Sequence, residues 1–141
     1  TAPAAPTTAP PPPGEPTAEQ LLDLSVQQLR RGSPATARAG LGEFLRRFPQ
    51  HARIADALFF TGEAWAADQR ADSAAARYRA VVQRFPQSSR APSSLYKLGL
   101  QALAAGRIAE ARDAFTQVTS RWPNAEEASL ARERLRSLPA R

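Results

Sequence analysis

Cysteine and methionine are absent from this 141-residue chain, and lysine occurs once, at Lys97. Without cysteine there is neither a disulfide framework nor a thiolate metal site. That absence suits an oxidising compartment without requiring one. Without methionine, residue 1 is not an intact translation start, so the chain is expected to be a processed product or a fragment, with any signal peptide upstream. No apolar run approaches the roughly 20 residues that cross a bilayer. The single histidine, His51, has no second ligand of its kind and reads as an exposed loop residue. No serine or threonine stands with a histidine and an acid at a hydrolase spacing, and no Gly-rich phosphate loop or GxSxG elbow occurs. Carboxylate pairs such as Asp68 and Asp72 read as surface acids on helix ends. Together these absences predict a chain with no catalysis, no cofactor and no metal.

What is present is a chain of single-domain length, 43% hydrophobic and rich in alanine. Seven of its 13 prolines precede residue 17. Residues 1–16, TAPAAPTTAPPPPGEP, lack core-forming side chains and read as a Pro/Ala-rich disordered linker, extended at Pro10–Pro13. The folded domain is expected over 17–141. The net charge of +6 raises a nucleic-acid reading. However, the arginines are spread along every helix, many beside acids, as in Glu43 with Arg46 and Arg47, or Arg107 with Glu110. A solvated basic surface is the expectation, with no nucleic-acid partner. Weak attraction to anionic surfaces is the alternative.

From Thr17 onward the pattern is helical and repetitive. Phe48-Pro49, Phe85-Pro86 and Trp122-Pro123 recur at intervals of 37 residues. A fixed period of that length implies a solenoid of stacked units. The same offset aligns Ser25, Gly62 and Gly99, and it aligns Ala37, Ala74 and Ala111 as a second small-residue column. Large residues fill the others: Leu21/Leu58/Leu95, Leu22/Phe59/Tyr96, Leu41/Tyr78/Phe115 and Phe44/Val81/Val118. Small columns let antiparallel helices approach, and apolar columns three and four residues apart form one buried stripe per helix. Proline after the aromatic ends the second helix of each unit.

Helix ends are legible too. Thr17-Ala18-Glu19-Gln20 has the capping-box form, Ser33-Pro34 reads as an N-cap with proline in the first turn, and Asn124 to Glu127 repeats the capping box. Gly106 fits a left-handed stop. Helices are expected near 17–31, 34–48, 52–67, 71–84, 90–105, 108–121 and 125–137. They make an all-α, tetratricopeptide-like solenoid of three helix-turn-helix repeats (about 17–49, 52–86 and 90–123) with a charged C-terminal capping helix.

The columns Leu58/Gly62/Ala74/Tyr78/Pro86 and Leu95/Leu98/Gly99/Ala111/Phe115/Pro123 resemble the tetratricopeptide pattern. Thr61, Ser25 and Gln28 depart from it, as does a period three residues longer than the family's usual one. More narrowly, FPQSSRAPSSLYKLG at 85–99 and RWPNAEEASLARERLRSL at 121–138 resemble the C-terminal domain of the periplasmic Tol–Pal accessory protein, the cell-division coordinator (YbgF/CpoB) family. The resemblance covers residues 17–138. It implies a periplasmic scaffold that links outer-membrane constriction to septal peptidoglycan synthesis through contacts with TolA and a peptidoglycan synthase. It also implies that oligomerisation, if any, runs through a coiled coil upstream of this chain. A related envelope adaptor, such as the lipoprotein of the outer-membrane barrel-assembly machinery, is the alternative within the resemblance.

In such a stack the first helix of each unit lines a concave face. By register, Glu19, Leu22, Val26 and Arg30, then Asp56, Phe59 and Glu63, then Ser93, Tyr96 and Leu100 would form a peptide-binding groove. The Leu22/Phe59/Tyr96 column could anchor a partner there or pack against the adjacent helix as core. Trp65 and Trp122, both in register, read as packing residues.

Overall fold

Each hairpin turns on a residue in the left-handed region. Gly32, Gln69 and Gly106 lie 37 residues apart with φ of 79°, 60° and 75°. The residue after each donates its N–H five residues back, Ser33 to Gln28, Arg70 to Trp65 and Arg107 to Ala102, at 2.9–3.0 Å. These bonds satisfy carbonyls that the end of a helix leaves open. The computed structural model describes residues 10–140, and the helices so delimited are α1 (Ala18–Arg30), α2 (Pro34–Arg47), α3 (Ile54–Ala67), α4 (Ala71–Arg84), α5 (Arg90–Ala104), α6 (Ile108–Arg121) and α7 (Glu126–Ser137). Among the described residues there is no strand. The hairpins α1–α2, α3–α4 and α5–α6 stack in chain order, with α7 against α6 and α5.

The N-cap readings divide. Thr17 makes both halves of its capping box, accepting from the Gln20 N–H at 3.2 Å while Gln20 Oε1 accepts from the Thr17 N–H at 2.9 Å. Ser33 precedes Pro34 as expected, but its side chain makes no capping bond. Asn124 is not a cap at all: α7 starts one residue later, Ala125 holds the N-cap position, and no side chain bonds there. The turn after Trp122 uses backbone instead, through Ala125 N–H to the Trp122 carbonyl at 3.1 Å. The third helix begins at Ile54 rather than 52 for a similar reason, since backbone bonds from His51 to Phe48 and from Ile54 to His51 take up the intervening residues.

Packing follows the columns. Ala37, Ala74, Ala111, Leu41, Tyr78, Phe115, Phe44, Val81 and Val118 are all at most 1% exposed. All but Ala37 fall in three clusters, one centred on each hairpin, joined by side chains shared between neighbours: Leu45, Phe60 and Phe85 between the first two, Leu98 between the second and third. The glycine column has a definite cause. A Cβ on Gly62 would fall 2.7 Å from the Tyr78 ring, and one on Gly99 2.6 Å from the Phe115 ring. In the first hairpin the close approach is made from the other side: Gly40 of α2 faces Ser25, whose Cβ would lie 3.4 Å from a Cβ added there, and the Ser25 hydroxyl donates to the Leu21 carbonyl at 2.7 Å. Each second helix ends in Arg-aromatic-Pro, with the arginine over its neighbour's ring at 5.0, 5.1 and 4.4 Å for Arg47, Arg84 and Arg121. Trp122 uses its extra N–H on the Pro86 carbonyl of the preceding unit, at 3.1 Å. Residues 1–9 of the expected linker lie outside the described residues; of the rest, Pro12 to Glu15 form a turn, and Glu15 pairs with Arg47 at 2.8 Å.

Two substitutions test this account. Gln69 holds a conformation that costs an L-residue roughly 1–2 kcal/mol, so Gln69→Gly is expected to raise stability by about 1 kcal/mol in chemical denaturation. Gly62→Ala is expected to lower it by about 1–3 kcal/mol, since the Tyr78 ring has no room to retreat.

Candidate protein-binding groove

The concave face belongs to α1, α3 and α5. Its main hollow, about 500 Å³, is lined by Leu29, Glu63, Ala66, Ala67, Tyr78, Lys97, Leu100, Gln101 and Ala104. A second hollow of about 310 Å³ lies between α3, α5 and α7, bordered by Phe59, Glu63, Ser93, Tyr96, Lys97, Glu126, Glu127 and Leu130. Glu63 and Lys97, 3.4 Å apart, form the ridge common to both.

The register-predicted groove residues divide sharply. Glu63 and Leu100 line the main hollow, while Ser93 and Tyr96 line the second. Leu22 is wholly buried and Val26 is buried beside it in the first cluster. Phe59 is 6% exposed, against Tyr78 and beneath the Arg90 guanidinium at 4.9 Å. These three are core rather than anchors, although their register equivalents are not: Val26 aligns with Glu63 and Leu100 of the main hollow, and Leu22 and Phe59 with Tyr96 of the second. Arg30 is exposed at the end of α1 and lines neither hollow.

The acids Glu19 and Asp56 are already engaged. Arg53 bonds Glu19 at 2.8 Å and Asp56 at 2.9 Å, and Arg90 bonds Asp56 at 3.0 Å. At the next junction Ser93 and Glu127 take the same two positions, 2.5 Å apart. A side chain at the start of each first helix thus reaches back 34 residues to the helix before it.

Register reasoning missed Leu29, Tyr78, Lys97 and Gln101 of the main hollow, and with them its three alanines. Ala66, Ala67 and Ala104 leave the space that the hollow occupies, whereas a search for large apolar groups selects those already consumed by the core. His51 is also not the exposed loop residue expected. It packs against Phe44 and Phe48 with ring centroids at 5.2 and 6.4 Å, its Nδ1 accepts the Arg53 N–H at 3.0 Å, and Nε2 faces Glu19 at 3.3 Å. Asp68 is held by Arg38 at 2.5 Å, with that guanidinium 4.0 Å from the Trp65 ring centroid. No group of three or more histidines, cysteines and acids converges on a metal position among the described residues, and no helix is long and apolar enough to cross a membrane.

An all-α stack of helical hairpins with a pre-formed concave hollow defines a repeat scaffold, a class whose usual task is to hold other proteins. Comparison with family models specifies the repeat: tetratricopeptide repeat models match residues 22–89 and 93–125. The chain therefore carries tetratricopeptide repeats through its three hairpins, and such repeats are protein-interaction modules. No curated protein matches the chain.

The floor of the main hollow titrates in a defined direction. Burial, and then a short hydrogen bond donated to Glu63, push the Tyr78 phenol well above its ordinary value near 10. The folded chain therefore holds that proton more tightly than the unfolded chain. The stabilisation is complete below about pH 10 and is lost as pH rises further. The urea midpoint is expected to fall as pH rises above about 10, and Tyr78→Phe is expected to flatten that part of the profile.

Proposed function

We propose that this chain is a periplasmic scaffold of the Tol–Pal accessory type, which uses the α1/α3/α5 hollow to hold an apolar peptide or helix of its partner. The observation that carries the binding role is the main hollow itself, about 500 Å³ and walled by Leu29, Leu100 and three alanines around one charged pair. Pre-formed space of this kind suits a side-chain anchor. The cell-division assignment rests on the resemblance of residues 85–99 and 121–138 to that family and on the Pro/Ala-rich segment ahead of the repeats. On this reading the partners are TolA and a peptidoglycan synthase, and the chain carries no chemistry of its own.

The test is titration calorimetry of the chain against the periplasmic domains of those two proteins. Saturable binding is expected, and Ala104→Trp, which fills the hollow from an exposed position, is expected to weaken it about tenfold or more with the melting temperature unchanged. Absence of binding to both would overturn the division assignment. Binding that collapses between low and moderate salt and ignores Ala104→Trp would favour the anionic-surface alternative instead.

A further inference from the structure

We propose that the notch between α5 and α7, floored by the Tyr96 ring, receives an arginine side chain from the partner protein. This deepens the scaffold reading above and depends on it. The molecule supplies its own template one repeat earlier. There the Arg90 guanidinium lies 4.9 Å from the Phe59 centroid and 4.8 Å from that of Phe60, and donates to Asp56 at 3.0 Å, leaving Phe59 6% exposed. A shift of 37 residues carries Asp56, Phe59, Phe60 and Arg90 to Ser93, Tyr96, Lys97 and Glu127. At the third unit one ring of the aromatic floor is therefore retained in Tyr96, the other gives way to Lys97, and a carboxylate replaces the cation that would cover the ring. Tyr96 is left half-buried, and Leu130 beside it is 40% exposed, one of two large hydrophobic side chains so exposed among the described residues.

The surrounding charges favour a cation. Six charged side chains border the notch: Glu63, Lys97, Glu126, Glu127, Glu133 and Arg134. Lys97 is matched by Glu63 at 3.4 Å. Arg134 Nε donates to the Tyr96 hydroxyl at 3.4 Å, at the ring's edge rather than its face. Glu127 accepts only from the Ser93 hydroxyl, and neither it nor Glu126 has a basic group within ion-pair distance among the described residues. The notch is thus acidic on a chain of net charge +6. A guanidinium lying flat on Tyr96 would reach Glu127 and Glu126, with its stem along Leu130. The planar fork favours arginine over lysine.

The test uses the whole chain and two short probes, acetyl-Leu-Arg-amide and acetyl-Leu-Glu-amide, followed by NMR. The arginine probe is expected to shift Tyr96, Glu127 and Leu130 resonances saturably, and the glutamate probe to leave them unmoved. Glu127→Arg places a guanidinium over Tyr96 from within, at the position Arg90 holds one repeat earlier, so it is expected to keep the fold and weaken the arginine probe about tenfold or more. Glu127→Gln, which cannot disturb the fold by charge repulsion, is expected to weaken it severalfold. Equal shifts from both probes, no shift from either, or arginine binding indifferent to both variants would overturn the proposal. So would concentration-dependent shifts without any probe, which would make a second copy of the chain the occupant. Should partner binding remain sensitive to Ala104→Trp while the arginine probe fails, the notch assignment falls and the scaffold reading stands.

Discussion

The structure depends on one steric pairing: in the second and third hairpins a large side chain on the second helix lies against a position on the first helix that has almost no side chain. Tyr78 occupies the space above Gly62, and Phe115 that above Gly99, at distances no added Cβ would tolerate. Close approach of the axes follows, and with it the burial of Ala74, Ala111, Val81 and Val118 to complete exclusion from solvent. In the first hairpin the roles are exchanged, with Gly40 on the second helix facing Ser25 on the first. The hairpins then stack because each leaves an apolar flank that only its neighbour covers, through Leu45, Phe60, Phe85 and Leu98.

Most of this fold was legible in the residues. The 37-residue stride of the aromatic-proline pairs located all three second-helix ends, and Phe48, Phe85 and Trp122 occupy equivalent positions with φ of −128°, −132° and −132°. Helix boundaries came out within about two residues, as hydrophobic period and capping chemistry allow. What failed was chemistry that several local groups can satisfy. Asn124 and Ser33 have the residue types of caps, yet neither helix start carries a side-chain capping bond. His51 looked like a lone loop residue because nothing in the linear order announces Phe44, Phe48 and Glu19 as its neighbours.

The groove was half legible, for a physical reason. Register identifies which helices face inward, but not how each inward position is filled: Val26 is buried where its equivalents Glu63 and Leu100 line the main hollow, and Leu22 is buried where Tyr96 borders the second. Large apolar residues at these positions are drawn into the core, since burial there excludes the most water. The open face is marked largely by alanines and by one charged pair, features that composition does not distinguish from surface. The arginine ladder from Arg53 to Glu19 and from Arg90 to Asp56 was equally hidden, although its break at Glu127 gives the α5–α7 end a character unlike the other junctions.

A double-mutant cycle at Gly99 and Phe115, followed by urea denaturation, tests the central pairing most directly. If the ring dictates the glycine, alanine at 99 should cost much less once Phe115 is leucine, giving a coupling of about 1 kcal/mol or more. Additive costs would contradict the account, because they would mean that Gly99 is required for some reason other than the aromatic side chain it faces.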